Sequence, residues 1–198
     1  ILKSEKLETE LNFLRSQISP HFIFNTLNNI YTLALQKHDN AAPMVAKLST
    51  LLRYVLYEGG EGQVFLKKEI ETLRQYVELH LLRKPRSTNV DFFAEGNLDG
   101  WKIAPMLLIN FVENAFKHSH LDHDESAWIK IHSEVGDDGT LAFSIQNSAP
   151  TAAPTTTSGG IGLQNVRRRL ELDYPGRHSL AVKNEGETFS IHLILQLK

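Results

Sequence analysis

Three short stretches of the chain carry residue types that could do phosphoryl chemistry. The first, SPHFIFNTLNNI at 19–30, places His21 directly after Pro20. A free imidazole has a pKa of about 6.5, so at neutral pH it can attack an electrophilic phosphorus without a strong base. Asn25 follows one helical turn later, a spacing that lets its amide hold the ring in orientation. A histidine that merely packs at a helix kink would leave the same local pattern. The second stretch, APMLLINFVENAFKHS at 104–119, puts Asn110, Glu113, Asn114, Lys117 and His118 within about two turns of one helix. Asn114 offers a neutral oxygen to Mg²⁺, and Lys117 and His118 reach phosphate oxygens from the same side. An ordinary amphipathic helix with a polar outer face is the competing reading. The third, SGGIGLQNVRRRL at 158–170, is a glycine-rich turn running into a helix, where unpaired backbone N–H groups and the helix dipole attract phosphate. It lacks the Gly-Lys-Ser/Thr of a P-loop and is not a first-βαβ GxGxxG. Arg167, Arg168 and Arg169 point about 100° apart on a helix, so not all three can reach one ligand.

The elements that must hold these residues fall into two regions. Leu7, Leu11, Leu14 and Ile18 form one helical stripe, which Pro20 interrupts beside His21. Two further helical patterns follow, with Val45, Leu48, Leu52 and Val55 in one and Ile70, Leu73 and Val77 in the other. EGGEGQ at 58–63 separates them and KPRS at 84–87 ends the second, so residues 1–85 read as a helical domain. From about residue 88 the period changes, and 86–198 reads as the second domain. NVDFFAEG, AWIKIHSEV, TLAFSIQNS, SLAVKN and TFSIHLILQL read as strands, with GDDG as a hairpin turn and helices over 105–118 and 161–174. The expected fold is α+β, a helical region followed by a two-layer sandwich of mixed sheet with helices on one face. The Pro/Thr-rich stretch 148–158 reads as a loop.

Composition narrows the function classes. The 198 residues hold 21 Lys+Arg against 23 Asp+Glu, a net charge of −2, which removes support for a nucleic-acid surface. Hydrophobic residues at 41% suffice for a large core, and the absence of cysteine excludes disulfides, thiol nucleophiles and thiolate metal sites. HSHLDHDE at 118–125 reads as a solvated polar loop, with Asp137 and Asp138 as turn residues. No apolar run reaches the length of a membrane span, and a chain that opens at Ile1 within a helical pattern reads as a portion of a longer protein.

In their order and separation the three stretches resemble the cytoplasmic core of LytS-type sensor histidine kinases, members of the superfamily of gyrase, the large heat-shock chaperone, histidine kinases and the MutL repair ATPases. SPHFIFNTLN is similar to that family's phosphoacceptor block, FVENAFKHS to its N box and GGIGLQNVRRRL to its glycine box. KKEIETLRQYVELHLLR at 67–83 resembles its second dimerisation helix. The resemblance implies a homodimer in which 1–85 is the dimerisation and phosphoacceptor domain and 86–198 the ATP-binding domain. It implies that His21 takes the γ-phosphoryl group of ATP, with Asn25 beside it, and gives it to an aspartate in the receiver domain of a response regulator. Asn114 would coordinate Mg²⁺, Lys117 and His118 would contact phosphates, and Asn110, Gly160, Gly162, Leu163 and Asn165 would border the nucleotide. Glu113 would be a weak base or a support for its neighbours. The full-length protein would be anchored in the inner membrane by upstream segments, leaving this part cytoplasmic, and motion would cross the connection near 84–88.

Two departures from the family pattern stand out. Where the family carries an aspartate that receives the adenine amino group, this chain has Asn147, whose amide can still accept and donate but forfeits a charge-assisted bond, about 1 kcal/mol. Phe22 follows His21, where several histidine-kinase families carry an acid, so the general base is not assigned. The ATP-hydrolysing relatives place a water-activating glutamate four residues before the magnesium asparagine. Asn110 stands there instead, which favours phosphotransfer over hydrolysis. The alternative reading is a nucleotide-binding dimeric scaffold that has lost catalysis.

Overall fold

The computed structural model describes residues 20–83, 89–121, 124–149 and 161–198. The stripe Leu7–Ile18, the connection 84–88 and the segment 150–160 with Gly160 lie outside the described residues. Pro20 stands at the first position of α1 (Pro20–Leu35), where its missing N–H costs a helix nothing. α1 buries Phe22 and Thr26 and packs on α2 (Ala41–Arg53) and α3 (Leu66–Arg83). α2 buries Met44, Leu48 and Leu51 and runs into a π-helical turn, Tyr54–Glu58, that turns Tyr54 and Val55 inward. The buried stripe is therefore 44-48-51-55, and Val45, expected inside, is exposed. Both stripes share Leu48 and Val55, and the neighbouring helices select which side of a wide apolar arc is covered.

A two-residue antiparallel bridge joins β1 (Val64–Phe65) to β3 (Lys102–Ile103). The main sheet has the order β2-β4-β5-β7-β6, from β2 (Val90–Gly96), β4 (Ile129–Val135), β5 (Thr140–Ser148), β6 (His178–Glu185) and β7 (Thr188–Gln196). β2 runs parallel to β4 and every other pair is antiparallel, so the sheet is mixed as expected. α4 (Ile109–His118) lies in the crossover from β2 to β4, and α5 (Ile161–Asp173) precedes β6. Alternation decides which face they cover. Ile129, Ile131, Leu141, Phe143, Ile145, Ile191, Leu193 and Leu195 are buried, while their strand neighbours Lys130, His192 and Gln196 are exposed. The β4–β5 turn follows the GDDG reading. Gly139 sits at φ 78°, and a Cβ there would lie 2.5 Å from the Trp101 ring. Asp138 accepts the Thr140 N–H at 2.9 Å, which holds its carboxyl below the usual range.

The buried side chains of the helices and of the sheet form one continuous core. A buried carboxylate bonds across it. Glu69 of α3 is buried and accepts the Tyr54 hydroxyl together with the backbone N–H groups of Met106 (3.0 Å) and Leu108 (3.1 Å). Burial and the adjoining carboxylate push the Tyr54 hydroxyl up, so it remains a donor. Burial also raises Glu69, against the pull of its three donors. This capture explains why the helix expected from 105 begins at Ile109. The N–H groups at 106 and 108 are drawn to Glu69, and Met106 adopts φ 60°.

Among the described residues no helix is long and apolar enough to cross a membrane. On the far side of the 104–108 segment, the Ala104 N–H donates to the buried Tyr174 hydroxyl at 2.7 Å. Tyr174→Phe leaves that N–H without its acceptor in the core and should lower unfolding free energy by about 1–3 kcal/mol in urea titration. A loss below a few tenths would show that the bond adds nothing.

Candidate functional site

α4 positions most of the site by its periodicity. Ile109, Phe111, Val112 and Ala115 are buried, and Asn110, Glu113, Asn114 and Lys117 emerge on the other side. Lys117 and His118 end the helix, where its dipole favours positive charge. Facing them is the start of α5, with Gly162, Leu163 and Asn165. Between the two helices lies a cavity of about 360 Å³, lined by Asn110, Glu113, Asn114, Lys117, His118, Gly162, Leu163 and Asn165. Eight residues singled out from the sequence thus meet at one place. A Cβ on Gly162 would meet nothing within 4 Å, so the backbone at the first turn of α5 is open to a ligand. Asn110 donates from Nδ2 to the Met106 carbonyl at 2.7 Å, leaving its oxygen as the acceptor.

Phe111, Val166 and Ile191 also line the cavity and were missed in the sequence. Two of them carry a signal, since Val166 lies one turn after Gly162 and Ile191 falls on the inward phase of the β7 alternation. Asn147 is buried on β5, donates from Nδ2 to the Ser148 carbonyl at 2.7 Å, and is not among the cavity-lining residues. Of the three arginines, Arg169 pairs with Asp173 at 3.2 Å, and none lines the cavity.

His21 and Asn25 sit on α1, outside the cavity lining. The ring is exposed, and Asn25 Nδ2 lies 3.2 Å from both Nδ1 and Nε2. The next residue, Phe22, is buried against Tyr76 and His80, with centroids at 4.6 and 4.8 Å. His80 in turn stacks on Phe116 at 4.0 Å with an interplanar angle of 13°. A file of rings therefore runs from the residue after His21 to the residue before Lys117, and it seats α1 and α4 against α3.

A family model described as histidine kinase matches residues 9–88. Sensor protein LytS of Staphylococcus epidermidis is 26% identical over 202 residues, covering 96% of this chain and 34% of that protein. Sensor histidine kinase BtsS of Escherichia coli K12 is 27% identical over 188 residues, covering 95% and 33%. The chain spans about a third of the length of these curated relatives. Among solved structures, the histidine kinase domain of the blue-light activated histidine kinase from Erythrobacter litoralis EL346 superposes with a TM-score of 0.52. It has 14% identity and covers 100% of this chain and 95% of that one, a likeness of fold.

One group in the cavity is tuned by its surroundings. Burial, then the Lys117 ammonium and His120, hold the His118 imidazole below its usual pKa. Folding therefore favours the neutral ring, whose stability contribution is present above the unfolded pKa of about 6.5 and is lost as pH falls through the lower folded value. Between about pH 7.5 and 5.5 the thermal midpoint should fall less in His118→Gln than in the unaltered chain. Parallel pH profiles would show that this ring is not linked to folding.

Proposed function

By family the chain is a histidine kinase of the LytS type, and from that premise we propose that it is the kinase core of a two-component sensor. It binds Mg²⁺·ATP between α4 and α5, transfers the γ-phosphoryl group to His21, and passes it to an aspartate in a response regulator's receiver domain. The observation that carries this reading is the convergence of Asn110, Asn114 and Lys117 with Gly162 and Asn165 around one cavity. Phosphoryl transfer asks a protein mainly to position groups and neutralise charge, and those residue types do both.

The donor set fits a magnesium ion that arrives on its nucleotide. Among the described residues no group of three or more His, Asp or Glu could hold a metal by itself. Mg²⁺ is commonly bound through one or two protein oxygens, with water and phosphate completing its shell. Asn114 would supply that oxygen, and the ion, when bound, would offset phosphate charge. Lys117 adds a cation, His118 a neutral hydrogen-bonding ring, and the open backbone at Gly162 the N–H groups of a helix start. Leu163, Val166 and Ile191 form an apolar wall for the rest of the nucleotide.

Asn25, whose Nδ2 lies 3.2 Å from both ring nitrogens of His21, would steady the ring for attack on the phosphorus. His21 is outside the cavity lining, so transfer would bring the ring to the cavity within one copy or between two, and motion across 84–88 would have to part the Glu69 bonds and the file of rings. α1 also supports the homodimer. Phe24, Leu27, Tyr31 and Leu35 repeat at helical spacing and are 48% to 67% exposed, an uncovered stripe suited to the same face of a second copy. The chain then serves as the cytoplasmic portion of a sensor anchored by upstream segments. Asn147, standing where the family carries an aspartate, motivates a second reading, a nucleotide-binding scaffold without transfer.

Incubation with Mg²⁺ and γ-labelled ATP should leave acid-labile, alkali-stable label that His21→Ala abolishes and Asn114→Ala slows by more than about tenfold. Binding without label would support the scaffold, and free phosphate release without label a hydrolase. Leu27→Glu combined with Tyr31→Glu should halve the mass in light scattering. An unchanged mass would place the dimer seam elsewhere.

A further inference from the structure

Glu69 lies on α3, in a different element from every cavity-lining residue. It is nonetheless bonded to the segment from which α4 springs. Its two oxygens take the N–H groups of Met106 and Leu108, and the oxygen on Met106 also takes the Tyr54 hydroxyl. Met106 between these bonds is at φ 60°, a conformation disfavoured for a side chain with a Cβ. Successive N–H groups around such a residue form a concavity that binds an anion. Here the anion belongs to the chain itself. Leu108 is the N-cap of α4 and provides no side-chain cap, so Glu69 acts as the cap from another element. The Met106 carbonyl, held by the same turn, receives the Asn110 amide at 2.7 Å.

An apolar side chain would fill this space without desolvating a carboxylate. It could not gather two N–H groups around a left-handed residue. We propose that Glu69 is a positioning residue of the nucleotide cavity, fixing the 106–108 turn and through it the start of α4 and the direction of Asn110 and Asn114. The inference rests on the nucleotide reading of the cavity. It deepens that reading by adding a residue that touches no ligand and belongs to the helical region that carries His21.

The test is titration of the whole chain with a fluorescent ATP analogue and Mg²⁺, below the thermal midpoint of each variant. Glu69→Gln keeps the shape but sets an NH₂ against a backbone or hydroxyl donor, and should weaken binding by about tenfold. Tyr54→Phe removes a donor far from the ligand and should weaken it by about threefold. A packing role would move neither affinity once the variant is folded. Asn110→Ala should cost less in the Glu69→Gln background than alone, because both act through Met106. Affinities within about twofold of the unaltered chain for folded Glu69→Gln and Tyr54→Phe, or Glu69 and Asn110 effects that simply multiply, would overturn the inference. If Glu69→Gln does not fold, Tyr54→Phe decides alone, and an unchanged affinity overturns the proposal. Failure of the unaltered chain to bind the analogue would overturn the nucleotide reading and this inference with it, whereas binding by that chain with insensitive variants removes the inference only.

Discussion

A cavity can form between α4 and α5 because one ten-residue helix is held to a single angle about its own axis. Phe111, Val112 and Ala115 must stay in the core, with the Phe111 ring 6.0 Å from Phe143 of β5. A step of one residue turns a helix by about 100°. Such a step would carry Asn110 and Asn114 toward the core, where each amide left without a partner costs about 1–3 kcal/mol. The apolar face thereby sets the direction of the polar one. Axial position is set at both ends. Glu69 holds the N–H groups before the helix, and Ser148 Oγ donates to the Ser119 carbonyl after it at 3.1 Å while accepting the Trp128 N–H at 3.0 Å.

The helices carrying the histidine and the helix carrying the asparagines are seated by shared groups. Phe22, Tyr76, His80 and Phe116 form one aromatic contact set, and Tyr54, Glu69, Met106 and Leu108 one polar set. The first packs by area and tolerates small adjustments. The second is directional and buried, so it holds a particular geometry or loses its bonds.

What could be read from the sequence divides along the same line between local and non-local causes. The faces of α4 and the alternation of β4, β5 and β7 follow from spacings of two to four residues, and the strands TLAFSIQNS and TFSIHLILQL were found nearly to the residue. The eight cavity residues came from spacing plus resemblance, since no local pattern says that 110–118 will face 162–165. The start of α4 was misplaced by four residues because Pro105 is a fair opening for a helix and Glu69 lies 37 positions from Met106. The exposed Val45, the π-helical turn and the β1–β3 bridge were missed for the same reason. Each is decided by a neighbour in space and not in the chain.

The strand order has a bearing on how the molecule is made. β7 follows β6 in the chain yet lies between β5 and β6 in the sheet, pairing with both. During synthesis the β4–β5 hairpin emerges early with one long edge uncovered, and no earlier strand can cover it. That edge is satisfied only after Thr188–Gln196 has left the ribosome, so the floor beneath α4 and α5 closes at the last step of translation of this region. A ribosome stalled before that strand would hold a nascent chain whose sheet is still an open template for aggregation.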